Sequence, residues 1–264
     1  MSQFAQYEQF SQAAQFNAMA ATAALSYSID TLSPADIVAI TGQATPTWMA
    51  RGGDASGALD LVGSDDLTDI GSPTKENADA VLGGMTTLIA HSTGQSMDGP
   101  NAAFGDVGAE TITGFAIINL TDASTASKQI FGNRTNAAGN NGWILKGKTG
   151  GGFDFTNDTP SENRVAGVNI DHGTGNAEVI LFTRSIADDI LGVWTRLGDS
   201  VLDASLGETM TNGDPASVGA GPLRTAQGHS FGAGGLWIGT DGDFGLAADY
   251  AAARLAIAQA LGYE

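Results

Sequence analysis

Two short motifs in this chain match sequence patterns of chemical sites. Gly142-Trp-Ile-Leu-Lys-Gly-Lys-Thr149 fits the phosphate-binding loop, and Gly228-His-Ser-Phe-Gly232 fits the nucleophile elbow of hydrolases. A phosphate-binding loop lies between a strand and the first turn of a helix, where its glycines expose backbone N–H groups. Here Trp143, Ile144 and Leu145 fill the loop, and glycines follow it. We therefore interpret this segment as a buried strand with a Lys-Gly-Lys turn.

The elbow motif lacks the partners that its chemistry needs. A hydrolase elbow has a helix directly after the serine and a catalytic histidine further along the chain. Ser230 is followed by Ala233-Gly-Gly and an apolar run, and the three histidines all precede it, namely His91, His172 and His229. This order argues against a catalytic triad.

Carboxylate pairs are the remaining route to an enzyme. Glycoside hydrolysis requires two carboxylates about 5–10 Å apart on either side of a sugar. Glu162, Glu178 and Glu208 each stand alone in the sequence, and we predict a protein that is not an enzyme. Asp241-Gly-Asp243 has a suitable spacing for a cation, so Asp241 and Asp243 are either calcium ligands or part of a solvated turn.

The segment from Gly132 to Asn141 is the best candidate for recognition. It is rich in planar amides, which both donate and accept hydrogen bonds, and it lies between two apolar segments. We predict that it contacts carbohydrate through Asn133, Arg134, Asn136 and Asn140. The alternative interpretation is a solvated hairpin loop.

The tryptophans provide a second possible contact with sugar. An exposed indole offers a flat apolar face to a sugar ring. Trp143 and Trp237 lie inside apolar segments and are predicted to be core residues. Trp194 alternates with Val193 and can face either way, and we include it among the candidate carbohydrate-binding residues.

Composition excludes several classes of function. Eleven Lys and Arg residues stand against 29 Asp and Glu, giving a formal charge of −18. Such a field repels phosphate backbones and anionic lipids, so we predict no nucleic-acid binding and no membrane binding.

Cysteine is absent, which excludes disulfides and thiol catalysis. No apolar run approaches the ~20 residues of a membrane span, and the N-terminal residues lack the pattern of a secretory signal.

The elements that position these residues are mostly strands. Short segments with β-branched or aromatic residues at alternate positions predict an all-β, antiparallel two-sheet sandwich. Ser33 and Pro34 predict the start of a short helix that ends before Gly42. Residues 250–261 form a helical segment by propensity, with Gly262 as its stop. Residues 77–90 can start with a helical turn, and Met85–Ala90 can form a strand. The predicted strands are Ile112–Leu120, Lys128–Phe131, Gly142–Lys146, Gly152–Phe155, Arg164–Ile170, Ala177–Thr183, Gly192–Leu197, Ser200–Ser205 and Gly235–Thr240.

Residues 2–27 differ from the rest of the chain. They are rich in Gln and Ala and favour a helix, and their larger side chains recur every three residues, as in Phe4, Tyr7, Phe10 and Phe16. This spacing drifts by about 60° a step, so the stripe wraps round the helix. The segment either packs along the sandwich or docks on another chain. We favour docking, with residues 1–50 as a helical anchoring arm of a homo-oligomer, such as a trimer, and residues 51–264 as the sandwich.

Several segments resemble those of one superfamily. They are Leu59–Thr74, Thr111–Asn119, the hairpin formed by Gln129–Gly132, Gly142–Leu145 and Phe153–Phe155, and finally Pro222–Arg224 with Leu236–Gly239. In spacing and residue type they are similar to concanavalin A-like (laminin-G-like) jelly-roll domains. The resemblance implies a jelly roll and, often, contact with glycan.

The arm and the missing signal sequence extend the resemblance. Together with the sandwich they resemble accessory proteins of tailed-bacteriophage particles. The resemblance implies a non-enzymatic capsid decoration, fibre or spike protein, assembled in the host cytoplasm into the virion. Its partners would be capsid or tail proteins and a host-surface glycan. The alternative is a free carbohydrate-binding protein or a sandwich-fold glycoside hydrolase.

Overall fold

The computed structural model describes ten stretches of the chain. They are residues 27–52, 57–72, 74–89, 96–99, 111–120, 128–132, 142–158, 163–185, 188–203 and 229–264.

An eight-stranded antiparallel sheet, the central sheet, forms the middle of the protein. Strand β15 (His229–Ile238) pairs with β7 (Ile112–Leu120) along one edge, and with both β5 (Met85–Ile89) and β1 (Trp48–Arg51) along the other. Strand β7 is buried at all nine positions because both faces of the sheet are covered. The strands, in spatial order, are β14 (Asp199–Asp203), β13 (Ile190–Trp194), β12 (Ala177–Ser185), β7 (Ile112–Leu120), β15 (His229–Ile238), β5 (Met85–Ile89) and β4 (Thr74–Asp79), with β1 (Trp48–Arg51).

A four-stranded antiparallel sheet, the outer sheet, packs on one face of the central sheet. The apolar core between them is rich in aromatic rings, and Phe182 of β12 lies 4.8 Å from Phe155 and 5.4 Å from Trp143, measured between centroids. A small third sheet adds Ala58, Leu67 and Met97 to this core. The outer strands are β11 (Asn163–Val168), β10 (Phe153–Asp158), β9 (Gly142–Gly147) and β8 (Lys128–Gly132), and the small sheet has β2 (Gly57–Ala58), β3 (Leu67–Ile70) and β6 (Ser96–Asp98).

This arrangement confirms the predicted all-β antiparallel sandwich. The two segments that match the phosphate-binding loop and the nucleophile elbow both lie in strands. Gly142–Gly147 is β9, and His229–Gly232 belongs to β15. The confirmed strands include the segment at Met85. The helical turn considered just before it is wrong, because Thr74–Asp79 is extended. The following turn is held instead by the Asp79 carboxylate, which accepts the N–H groups of Val81 and Leu82.

Two helices cover the other face of the central sheet, so the protein has a third layer. Helix α1 (Pro34–Thr41) is capped as predicted: the Ser33 hydroxyl accepts the Asp36 N–H, and Gly42 ends the helix at φ +70°. Helix α2 (Ala247–Ala260) is the predicted C-terminal segment, starting three residues earlier. The second core lies between helices and sheet and includes Ile37, Trp194, Trp237, Tyr250 and Ile257.

Residues 27–51 belong to this packed structure. Ile29 and Leu32 are buried in the second core, and Trp48–Arg51 pairs with β15. The boundary placed at residue 50 by the sequence therefore falls inside β1, whose four residues are too few to show alternation. The rest of the predicted arm, residues 1–26, including Phe4, Tyr7, Phe10 and Phe16, lies outside the described residues.

Candidate functional site

A charged and polar cluster lies where β9 turns into β10, at one end of the outer sheet. The reversal is closed by the Lys148 N–H, which donates to Gly152 O at 2.8 Å. Gly150 and Gly151 have φ values of +88° and +79°, which side chains rarely adopt. The Lys148 ammonium lies 3.0 Å from Asp154 Oδ1 and also donates to Asn169 Oδ1. We name Lys148, Asp154 and Asn169 the Lys148 cluster.

The neighbouring strand leaves room for this cluster. Gly167 lies opposite Asp154 in the β10–β11 register, and a Cβ there would lie 2.3 Å from Asp154 Oδ1. Asn169 is exposed, Lys148 keeps 29% of its side chain exposed, and Val165 on β11 is 39% exposed. The cluster thus presents an ammonium and an amide to solvent, while the Asp154 carboxylate that pairs with the ammonium is largely buried. Exposed Val165 lies two residues before Gly167 on β11.

A buried histidine holds this end of the sandwich together. The Nδ1 atom of His172 lies 2.7 Å from Ile170 O and 3.0 Å from Gly151 O, within the reversal that carries Lys148. Its Nε2 atom lies 2.8 Å from Thr195 Oγ1, beyond the end of β13. His172 therefore connects the outer sheet to the central sheet and positions the reversal.

A second group of charges surrounds Glu178, which is fully buried. The Glu178 Oε1 atom accepts the Arg196 backbone N–H at 2.7 Å and lies 3.2 Å from Arg254 Nη2. Arg254, from α2, also bonds to Glu264 Oε2 at 2.6 Å. Burial raises the pKa of Glu178, against the Arg196 hydrogen bond and the charges of His172, Arg254 and Arg196. Because Glu178 has no exposed surface, this group ties α2 to β12 and cannot touch a ligand.

Trp194 requires a correction. Its side chain is only 2% exposed and stacks on Tyr250, with ring centroids 5.1 Å apart and planes 13° apart. The predicted sugar-facing indole is therefore part of the core beneath α2. The alternation of residues in β13 did not predict which way the Trp194 side chain faces. The apolar face of α2 covers this side of the strand, and Trp194 therefore packs under it.

The structure places Asp241 and Asp243 in different surroundings. Asp241 lies in a 3-10 turn (Gly239–Gly242) and is exposed, while the Asp243 carboxyl hydrogen-bonds to that of Asp188. This bond is the main cause of a raised pKa at Asp188. Among the described residues, no group of three or more His, Asp or Glu side chains is arranged to hold a metal ion.

The amide-rich loop cannot be placed. Asn133, Arg134, Asn136 and Asn140 lie outside the described residues. Gly132 and Gly142, which flank this loop, stand at the end of the outer sheet opposite the Lys148 cluster. The six residues of β9 separate the two ends by about 20 Å.

Sequence reasoning missed the Lys148 cluster. It identified the turn after β9 but had no means of placing Asp154 and Asn169 against Lys148. The usable signal was the alternation in β10, where Phe153 and Phe155 face the core and Asp154 must face away. Within the part of the chain that the structure describes, no helix is long and apolar enough to cross a membrane.

Comparison with known proteins gives similarity in structure alone. No family model and no curated protein matches the chain. Trypanosoma rangeli sialidase in complex with the inhibitor DANA matches 88% of this chain and 36% of its own, with a TM-score of 0.54 and 11% identity. The same sialidase in complex with sialic acid matches 89% of this chain and 36% of its own, with a TM-score of 0.50 and 12% identity.

A binding domain has a similar fold. The botulinum neurotoxin serotype D binding domain matches 81% of this chain and 50% of its own, with a TM-score of 0.54 and 8% identity. The chain thus spans between about a third and a half of these structures. At such identities the similarity shows the fold, a β-sandwich that also occurs within much longer proteins.

Proposed function

We propose that this protein binds carbohydrate without cleaving it, and that the Lys148 cluster contacts the sugar. The observation that carries the proposal is the grouping of the partly exposed Lys148 ammonium and the exposed Asn169 amide, held by the largely buried Asp154 carboxylate, on the strand that also carries exposed Val165. Sugar hydroxyls both donate and accept hydrogen bonds, and the C–H face of a sugar ring packs on apolar side chains. The sandwich fold supports the proposal, since one similar structure is named a binding domain and another holds sialic acid.

The charges favour a neutral sugar. The Lys148 ammonium is already balanced by Asp154 at 3.0 Å, so the cluster offers hydrogen bonds and little net charge. The whole chain carries −18, which opposes the approach of an anionic ligand. We therefore expect neutral oligosaccharides to bind more tightly than sialylated ones.

The absence of cleavage is supported by the role of Asp154. In most families a glycosidase uses a protonated carboxyl as its general acid, with a second carboxylate across the sugar. Asp154 faces an ammonium and accepts in an ion pair, which is the arrangement of a positioned acceptor. Glu178 is sealed from solvent and cannot serve as the partner.

We also propose the setting in which the sugar is bound. The arm composition and the resemblance to phage accessory proteins support a non-enzymatic component of a tailed-bacteriophage particle, a homo-oligomer held to capsid or tail proteins by the N-terminal segment. The particle is assembled in the host cytoplasm, and the sugar is a host-surface glycan. Antibody labelling of purified particles tests this setting; particles that carry no label would overturn it.

Binding is tested with a glycan array followed by calorimetry on the sugars retained. We expect Lys148→Ala and Asp154→Asn each to weaken affinity at least about tenfold, the effect of losing a charge-assisted hydrogen bond. Lys75→Ala is the matched control, since Lys75 forms an ion pair 2.8 Å from Asp69 elsewhere.

Two outcomes would contradict the proposal. Wild-type protein that retains no glycan, or a Lys148→Ala variant that binds as tightly as wild type, removes the assigned site. Release of reducing ends from a bound oligosaccharide would favour the alternative, a sandwich-fold glycoside hydrolase.

A further inference from the structure

Two aliphatic side chains are exposed at the same end of the sandwich as the Lys148 cluster. Ile170 follows Asn169 directly after β11 and is 44% exposed, and Leu197 lies in the turn between β13 and β14 and is 41% exposed. A Cβ on Gly198, the residue after Leu197, would lie 3.0 Å from Ile170 Cδ1. The end of the outer sheet therefore meets the β13–β14 turn of the central sheet, and the two exposed side chains lie at this contact.

Hydrogen bonds fix the relative position of these two side chains. The Thr195 N–H and hydroxyl both donate to Gly198 O, at 2.9 and 2.7 Å, and close the turn that carries Leu197. His172 lies 2.7 Å from Ile170 O through Nδ1 and 2.8 Å from Thr195 Oγ1 through Nε2. The surface is thus preorganised, and a ligand that binds there does not have to order the turn.

Arg196, next to Leu197 in the turn, adds hydrogen-bond donors to this surface. Its Nη2 atom donates to His172 O at 3.2 Å, and its Nε atom lies 3.5 Å from Glu178 Oε2. The Arg196 side chain is 29% exposed. Because a carboxylate balances this guanidinium, as Asp154 balances the Lys148 ammonium, the surface offers hydrogen bonds with little net charge.

The size of the apolar part favours a small ligand over a protein. A stable protein interface covers about 800 Å² on each partner. Two half-exposed aliphatic side chains, Ile170 and Leu197, cover far less than this, whereas the C–H face of one sugar ring is of similar size. Apolar packing is non-directional, so these side chains would accept the face of a ring and leave the choice of sugar to the hydrogen bonds.

The distance across this end of the sandwich favours a chain of sugars. Stacked sheets lie about 10 Å apart. A ligand that reaches from Asn169 on the outer sheet to Leu197 on the central sheet spans about this distance. A single sugar ring is too short to contact both residues, and a linear oligosaccharide is long enough.

We propose that the carbohydrate site continues from the Lys148 cluster to Ile170 and Leu197, and that its ligand is an oligosaccharide rather than a single sugar. One ring forms hydrogen bonds with the Lys148 cluster, and a following ring packs its C–H face on the two aliphatic side chains. Arg196 donates to a hydroxyl of that ring. This inference rests on the proposed function and adds the length of the ligand to it.

Calorimetry on the full-length chain tests the extension. The probes are the shortest neutral oligosaccharide that a glycan array retains and the monosaccharides that compose it. We expect wild type to bind the oligosaccharide at least about tenfold more tightly than any of the monosaccharides. In Leu197→Ala this ratio should fall about fivefold, since a half-exposed leucine side chain loses its burial against the ligand. Leu255→Ala is the matched control, because Leu255 is also 41% exposed but lies on α2, across the central sheet from the outer sheet.

The outcomes separate this inference from the proposed function. If Lys148→Ala weakens binding and Leu197→Ala leaves the ratio unchanged, the site is confined to the Lys148 cluster and the extension is wrong. If wild type retains no neutral glycan, both proposals are wrong. Self-association in sedimentation that is lost in Leu197→Ala would instead assign the two aliphatic side chains to a contact between copies of this chain.

Nuclear magnetic resonance of the wild-type chain gives a test without substitutions. We expect the amide signals of Leu197 and Gly198 to shift when the oligosaccharide is added, and to stay in place when the monosaccharides are added. Signals that do not shift with the oligosaccharide, or that shift equally with a monosaccharide, would contradict the extension.

Discussion

Arg254 is the residue on which the attachment of α2 most depends. It reaches Glu178, Glu264 and the backbone oxygen of Val179, the last at 2.8 Å. Removing one partner of a buried ion pair leaves the other charge uncompensated, at a cost of about 3–5 kcal/mol. We expect Arg254→Ala to lower the free energy of unfolding by this amount, measured by urea denaturation. Arg51→Ala is the control, because its guanidinium bonds to Asp30 O in an exposed position; an equal loss in both would contradict this role.

The paired carboxyls of Asp188 and Asp243 predict a dependence on pH. The pKa of Asp188 is raised, above all by its hydrogen bond to Asp243. The native state therefore holds the Asp188 proton more tightly than the unfolded chain does, which contributes stability at low pH. This contribution is lost as the pH rises through the raised native pKa, and the two charges then repel each other.

Asp243→Asn removes that repulsion. We expect the free energy of unfolding of the variant to exceed that of wild type by up to about 1 kcal/mol at pH 7, a limit typical of surface charges. The two values should become equal near pH 3.5. Thermal unfolding of both proteins across this range measures the difference. A gain that does not change with pH would show that the carboxyl pair is not its cause.

Single residues were predictable where one strand determined their direction, and not where two elements met. Trp143 and Trp237 follow from apolar neighbours in their own strands. Trp194 needed the position of α2, and Asp243 needed that of Asp188. Lys148 and Asp154 are brought together by a reversal with two positive φ angles, which the run of glycines allows but does not specify.

At the scale of elements, the packing of β7 requires a glycine at position 114, because there is no room for a side chain there. A Cβ on Gly114 would lie 2.3 Å from Phe182 Cζ and 2.8 Å from Leu236 Cδ2, both buried. Overpacking of this kind costs about 1–3 kcal/mol. We expect Gly114→Ala to lose this much stability in chemical denaturation. Gly198→Ala should be nearly neutral, since its Cβ would meet the end of the exposed Ile170 side chain at 3.0 Å. Similar losses in both would argue against local crowding.

Strands were most predictable where burial was complete. Ile112–Leu120 was predicted to the residue because a strand covered on both faces reads as a continuous apolar run. The two strands β13 and β14 begin earlier than predicted, since glycine and aspartate at their ends resemble turn residues. Strand β1 was missed because its pairing with β15 is set by distant residues.

For the whole molecule, the net charge of −18 predicts a response to salt. Like charges repel most strongly in the compact state, and salt screens them over about 10 Å at 0.1 M and about 3 Å at 1 M. We expect the melting temperature at pH 7 to rise as sodium chloride increases from 0.05 to 0.5 M. Near pH 4, where about half of the carboxyls are protonated, the rise should vanish. A rise of equal size at both pH values would point to general salting-out instead.

The layers of the molecule were only partly predictable. Alternating strands predicted the sandwich, and capping residues predicted α1. The sequence did not predict where the two helices pack on the central sheet, because their apolar residues fit any apolar surface of the right width. Long-range packing therefore decides what local pattern leaves open.

The pairing of β1 with β15 joins opposite ends of the chain. The bond from Trp237 Nε1 to Ala44 O, 2.8 Å long, spans 193 residues. At about 5–20 residues a second, a ribosome releases the partner of β1 some ~10–40 s after β1 itself. During that time an apolar strand has a free edge, on which strands of other chains can add. We expect newly made chains to depend on chaperones, and refolding to be slow, because its central sheet closes only when the last strand arrives.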